Sequence, residues 1–412
     1  MTKGRTSDSS AMTPLETATR VVRRLQEAGH EALFAGGCVR DMLMQRDPSD
    51  YDVATSAHPE IVLSLFRRTQ KVGAKFGVIL VHEGRHTIEV ATFRRDLEYS
   101  DGRRPTGVEY TTAKEDALRR DFTINGMFFD PLKNEVVDYV DGREDIQRRV
   151  VRAIGDPPRR FAEDHLRLIR AVRFAARLGF EIEPATWVAM QNHAPEIATI
   201  STERIREELE AIVTHPNRAN GFKLLLDSGV LAHCWPQAGH VVKDAERIRV
   251  ELGALPHDAS FESALGVAFA KLSEADVEAT CDALRCSNYT KKTVMWLHAN
   301  RMSLDHAESL TLADLKLLMA NQAFAQAMSI CAARVTSETM PSDAFEMIQK
   351  RVSSIPPDEV APPPLLTGHD LEALGLQPGP AYKEILDRVY YAQLNHDIYS
   401  RDEALALASK HL

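Results

Sequence analysis

The sequence predicts an α+β fold, with a mixed head over residues 15–155 and a long helical remainder. Two observations carry this. Up to about Gly155, short helical stretches alternate with segments that read as strands, and beyond it the strand pattern stops. The 412 residues also exceed what one ordinary core supports, so two or more modules are expected.

Leu15 to Ala28 reads as an amphipathic helix ended by Gly29. Ala32 to Phe34 reads as a short strand running into Gly36-Gly37, and Val39 to Met44 as a helix. Val72 to His82 and Arg85 to Phe93 alternate as strands joined through Glu83-Gly84, which predicts a β-hairpin. Arg94 to Gly107 is polar and reads as a mobile loop. Ala113 to Arg119 is expected to be helical, and Met127 to Asp130 and Val136 to Tyr139 to be strands. Helices follow, interrupted at Ile355 to Leu366, where five prolines make a stiff connection before a last helical segment, Asp370 to Leu412.

Composition bounds the function. No apolar run is long enough for a membrane span. Met1 to Pro14 is polar and lacks an apolar signal core, which predicts disorder and argues against secretion. Five scattered cysteines without a CxxC pair fit free thiols in a reducing cytoplasm. A net charge of −9 argues against a protein coated in RNA by bulk electrostatics. A local basic groove stays open, because sixteen arginines and only two lysines lie between Arg94 and Arg177. Arginine suits bidentate phosphate contacts, but on composition alone the interleaved acids favour a solvated, salt-bridged surface.

Three clusters carry chemistry. The first is Gly36-Gly37-Cys38-Val39-Arg40-Asp41, followed by Asp50-Tyr51-Asp52. Two glycines at a strand-to-helix turn let backbone N–H groups approach a phosphate, and Arg40 can neutralise it. A lone Gly-Gly is more often just a turn. On a strand, Asp50 and Asp52 would share a face, and paired carboxylates repel unless a cation such as Mg²⁺ sits between them. The bland alternative is a pair of loop aspartates after Pro48-Ser49. Glu89, between Ile88 and Val90, offers a third carboxylate on the strand face of Ala91 and Phe93, or else a solvent-facing edge residue. His82-Glu83-Gly84-Arg85-His86 matches the zinc pattern HExxH, but that pattern needs a helix and here straddles a hairpin turn.

The second cluster is Arg119-Arg120-Asp121-Phe122-Thr123-Ile124-Asn125, in which Asp and Asn can bond ribose hydroxyls and the arginines can meet phosphates. The third is Glu163-Asp164-His165-Leu166-Arg167 with Arg170, Arg173 and Phe174. Asp164, Arg167, Arg170 and Arg173 recur every three residues, a polar stripe if the segment is one helix. Leu166, Ile169, Val172 and Ala176 take the other side, which puts the stripe at a junction or cleft. A carboxylate beside a planar guanidinium can read the Watson–Crick edge of a base, and Arg170 and Arg173 can hold phosphates.

In this order, GGxVRD, DxD, RRDFTxN and EDxxRxxRAxRF resemble the class II tRNA nucleotidyltransferases of the polymerase-β-like superfamily, over Gly36 to about Glu210 and more loosely beyond. The resemblance implies a nucleotidyltransferase head at 15–155, a nucleotide-selecting neck at 156–215, a body at 216–354 and an RNA-binding tail at 355–412. It implies Asp50 and Asp52 as the metal-binding pair, Glu89 as the third carboxylate, and Arg120, Asp121 and Asn125 as the ribose motif. Asp164 and Arg167 match a protein template for CTP and then ATP, with Mg²⁺ as cofactor and the tRNA 3′ end as partner. No obligate protein partner is evident. Thr202 to Glu208 resembles a later helical motif that supports the nucleotide pocket.

His165 stands where many members have Pro, and His257-Asp258, which resembles part of a phosphohydrolase site, lacks companion ligands. In the family this chain resembles, full CCA addition, split CC- or A-addition and poly(A) synthesis share these motifs. The loop carrying Asp101, Arg103, Arg104 and Pro105 favours competence for A addition, and Gly73-Ala74-Lys75-Phe76 speaks against the poly(A) group. An RNA-binding protein without catalysis would be expected to lose the metal carboxylates first, and all three are present.

Overall fold

The computed structural model describes residues 12–72, 77–97, 107–374 and 379–410. The loop residues Asp101, Arg103, Arg104 and Pro105, and the stretch 73–76, lie outside them. The chain forms two compact units, one running to Ile212 with Asn220–Ala238 added, the other comprising Val213–Ala219 and Gly239 onward.

In the first unit, helix α1 (Pro14–Glu27) starts on a reciprocal cap in which the Thr13 hydroxyl accepts from the Glu16 N–H and Glu16 reaches back to the Thr13 N–H. Met12 is engaged as well, since its carbonyl meets His86 Nε2 at 2.9 Å. Order therefore begins before residue 14, where disorder was expected. Thr17, Ala18, Val21, Val22 and Leu25 form the buried stripe of α1.

The elements that follow are β1 (Ala32–Ala35), α2 (Gly37–Leu43), β2 (Asp52–Thr55), α3 (Pro59–Leu65), β3 (Thr69–Lys71), β4 (Val78–Glu83), β5 (His86–Thr92), β6 (Arg94–Asp96), β7 (Val108–Tyr110), α4 (Ala113–Leu118), β8 (Phe128–Asp130) and β9 (Glu135–Val137). A mixed sheet runs in the order β3-β4-β5-β2-β1-β8-β9, with β2 and β5 parallel and the other neighbours antiparallel. Both faces of its centre are covered. Phe34, Val53 and Val90 pack with α1 and Val62 of α3, while Leu33, Ala35, Ala54 and Phe93 pack with Ala113 and Ala117 of α4. That second face carries the functional side chains.

Two expectations change. The segment from Arg94 is a loop only in part, because β6 pairs with β7 in register Arg94↔Tyr110. Strands also persist beyond Gly155. After α5 (Gly142–Arg148), β10 (Val150–Val151) pairs in parallel with β11 (Glu181–Ile182), and between them lie α6 (Pro157–Glu163) and α7 (Leu166–Leu178). Two-residue strands are too short to leave a periodic trace in sequence. Helices α8 (Pro184–His193) and α9 (Thr202–Val213) follow.

The second unit is helical among its described residues. Its prolyl connection holds a single turn of helix, Pro357–Val360, and the last segment is three helices, Gly368–Ala373, Pro380–Leu394 and Arg401–Ser409. These close on a core of their own around Leu371, Ile385, Val389 and Ala404. Among the described residues no helix is long and apolar enough to cross a membrane.

Candidate active site

Sheet register assembles the site. β1 and β2 pair as Ala35↔Asp52, and Ala35 also pairs with Phe128. The residue after β1, Gly36, therefore lies beside Asp52 and the turn that precedes β8. Gly36 has φ 74°, ψ −126°, and a Cβ there would sit 2.9 Å from Arg120 Nη1. Only glycine fits both the angle and the approach. The parallel pairing Val53↔Val90 sets Glu89 beside Asp52, on the face that Phe93 shares with Ala54.

Asp52 opens β2, whereas Asp50 precedes the strand in the irregular turn after Pro48, where the Ser49 hydroxyl donates to it at 3.1 Å. Strand alternation thus does not align the pair, although both line one cleft. Asp52 is exposed on the cleft side, yet the protein around it desolvates the carboxylate. Burial, Glu89 and Asp50 together push its pKa up to about 6, against a smaller opposing pull from Arg120. The carboxylates feel one another as like charges, which is the condition a divalent cation relieves. Among the described residues, no group of three or more His, Cys, Asp or Glu is closed into a ligand cluster. The donor set is hard oxygen, suited to a cation that shares its shell with water and phosphate. His82 and His86 lie across the hairpin turn, where Glu83 pairs with His86 and His82 Nδ1 meets the Thr87 hydroxyl at 2.9 Å.

Asp116, which sequence reasoning passed over, organises the second cluster. It is 1% exposed. Its carboxylate accepts from Arg119 Nε at 2.9 Å and from Arg120 Nε and Nη2 at 3.2 and 3.1 Å. Burial by itself would raise its pKa, but the two guanidiniums hold it below the ordinary range. The i,i+3 and i,i+4 spacing on α4 was the available signal. Asp121 is buried beside Arg170, whose Nε and Nη2 donate to one carboxylate oxygen at 2.9 and 2.6 Å. The other oxygen accepts from the Phe122 N–H and from Asn125 Nδ2. Asn125 Oδ1 in turn accepts from Arg40 Nη1 at 2.7 Å, and Arg40 also pairs with Asp41 at 2.8 Å.

The third cluster is not one helix. α6 ends at Glu163, Asp164 is extended (φ −145°, ψ 103°), and α7 begins after His165. Asp164 lies just before the α7 N-cap, His165, its Oδ1 accepting from the Leu166 N–H at 3.1 Å and its Oδ2 from Arg204 at 3.2 Å. Arg167 is buried and held by three hydrogen bonds. It donates to Glu163 and the Arg160 carbonyl through Nη1, and to the Arg119 carbonyl through Nη2. Arg173 meets Glu208 of α9 at 2.5 Å. Arg170 and Arg173, expected as phosphate binders, thus each already hold a carboxylate. The Phe174 ring lies between three guanidiniums, at 4.4 Å from Arg173, 5.3 Å from Arg170 and 5.5 Å from Arg40.

These residues face a cleft of about 620 Å³ within the first unit. Asp50 and Asp52 line it, as do Gly36, Gly37, Arg40, Arg120, Asp121, Asn125, Asp164, Arg167, Arg170 and Arg173. Glu89 is exposed and close enough to act on Asp52 as a like charge, but it is not part of the cleft lining. Arg119, Arg177 and Arg204 join them, so eight arginines and five aspartates line the wall.

A mixed sheet presenting a glycine turn and paired aspartates, with an arginine-rich helix over them, defines a nucleotidyltransferase of the polymerase-β-like class. The family model for the poly A polymerase head domain matches residues 32–152, and that for the probable RNA and SrmB-binding site of polymerase A matches 179–240. The CCA-adding enzyme of Geobacillus stearothermophilus is 33% identical over 407 residues, covering 95% of this chain and 96% of that one. That of Limosilactobacillus fermentum is 42% identical over 222 residues, just over half of each chain. The crystal structure of the Bacillus stearothermophilus CCA-adding enzyme in complex with CTP superposes with a TM-score of 0.79 at 29% identity, covering 97% of this chain and 98% of that one. The chain belongs to the CCA-adding enzyme family.

Proposed function

We propose that this protein adds C, C and A to the 3′ end of tRNA from CTP and ATP, without a nucleic-acid template. The observation that carries the reading is a single cleft holding both the paired aspartates and the Asp164–Arg167 pair. A carboxylate accepts from an exocyclic amine, and a guanidinium donates to a ring acceptor. Cytosine presents N4–H₂ and adenine N6–H₂, whereas uracil and guanine put a carbonyl oxygen at the corresponding place. Arg204 and the Leu166 N–H fix the Asp164 carboxylate, and Glu163 with two carbonyls fixes Arg167, so the reading edge is rigid before a nucleotide arrives.

Asp50 and Asp52 are the proposed ligands for Mg²⁺, with Glu89 completing their negative field. When bound, the ion supplies Lewis acidity to the phosphate and lowers the pKa of the attacking 3′-hydroxyl. Gly36 and Gly37 bring backbone to the phosphates, Arg40 and Arg120 add charge, and Asp121 with Asn125 faces the ribose. Arg170 and Arg173 keep their assignment to the nucleotide pocket, in which they brace Asp121 and Glu208. The division into head, neck, body and tail is retained, with tRNA lying along the helical part. The five free cysteines, four of them buried, fit a cytoplasmic setting.

The test uses purified protein, Mg²⁺ and transcripts ending before CCA, after C or after CC, with CTP, ATP or both. Completion of all three to CCA followed by a stop is expected. Extension of only the CC-ended transcript would make it an A-adding enzyme, and a long A-tail a poly(A) polymerase.

A further inference from the structure

Among the described residues, the arginines on the cleft wall are matched by carboxylates with one exception. The tightest pairs are Arg170 on Asp121 and Arg173 on Glu208. Arg177 lines the same cleft, is exposed, and makes no hydrogen bond or ion pair with any described residue. It lies four residues beyond Arg173 on α7 and so extends the same helix face. Ten residues separate it from Arg167, roughly 15 Å along the axis, beyond the reach of the base-reading pair. Its charge is the one on that wall that no carboxylate among the described residues offsets, and the anion such a cleft handles is phosphate.

We infer that Arg177 is a phosphate-binding residue of this cleft, engaging either the triphosphate of the incoming nucleotide or a backbone phosphate near the RNA 3′ end. The inference rests on the activity proposed above. The competing explanation is that Arg177, in the last turn of α7, only complements the helix dipole. The two separate cleanly, because a dipole role changes stability and leaves both ligands' affinities alone.

The experiment compares Arg177→Ala and Arg177→Lys with the unaltered full chain. KM is measured for CTP and ATP at saturating tRNA, then for tRNA at saturating nucleotides. Direct titrations of CTP and of tRNA run in parallel. Arg177→Ala is expected to raise one constant about five- to tenfold with kcat nearly unchanged, and Arg177→Lys to recover part of the loss. A rise for both nucleotides identifies the triphosphate. A rise for tRNA, with a shallower dependence on salt, identifies the RNA backbone. KM values and titrations all matching the unaltered chain would overturn the inference, whatever happens to Tm. If the unaltered chain incorporates nothing, the proposed activity fails, and the titrations still decide Arg177.

Discussion

Replacing Asp121 by Asn tests whether the buried pair with Arg170 braces the cleft. Asp121 is 8% exposed, and Arg170 donates two bonds to one of its oxygens. Burial alone would raise its pKa, yet Arg170, Asn125 and Arg167 hold it at about 2, below the ordinary 3.8. That depression is equivalent to about 2–3 kcal/mol of stability. Asn keeps the shape and loses the charge, leaving Arg170 with only Glu208, at 3.8 Å. A loss of about 2–3 kcal/mol at pH 7 is therefore expected, below the cost of stranding a fully buried charge. Because the folded pKa is depressed, the contribution is complete above the ordinary value and is lost as pH falls through about 2. The gap between the two proteins should narrow from about pH 4 downward. Urea unfolding followed by tryptophan fluorescence in a Trp296→Phe background measures it, since Trp187 and Trp235 belong to the first unit and Trp296 to the second. A loss under about 1 kcal/mol, or a gap that ignores acid, would refute the argument.

Asp52→Asn should abolish incorporation, leave tRNA binding intact, and raise the Tm of the metal-free protein by removing a desolvated charge and its repulsion from Glu89 and Asp50; a lower Tm in EDTA would contradict it. Gly36→Ala should cost most of the incorporation rate, because the positive φ opposes a Cβ and the Arg120 guanidinium, 2.9 Å away, would have to move from the cleft; single-turnover rates near the unaltered value would count against it. Arg167→Ala should degrade the choice of CTP and ATP over UTP and GTP more than it weakens tRNA binding, and unaltered discrimination would remove its template role.

The motifs were legible because each is local. Gly36-Gly37, Asp50-Tyr51-Asp52 and the run from Arg119 to Asn125 are short stretches whose chemistry is written in neighbouring residues. The hairpin at Gly84 was legible because alternation and turn chemistry agree there. Charge partners across the chain were not. Arg170 and Arg173 look in sequence like free phosphate binders, and their acids lie 49 and 35 residues away. Likewise the even spacing from Asp164 to Arg173 suggests one helix, and nothing local announces the break at Asp164, whose carboxylate accepts from the Leu166 N–H of the second helix.

Periodicity and short-range chemistry suffice for the α+β plan, the paired aspartates and the order of the motifs, all of which the residues show before any folding is considered. Which charges meet a partner and which stay open follows from the three-dimensional fold. Parallel pairing of β2 with β5 brought Glu89 to Asp52, and folding buried Asp116 under two arginines. It also left Arg177 open on the cleft wall. A side chain's charge is fixed by its type, but its availability is fixed by what the fold sets against it, and that depends on contacts far apart in the chain.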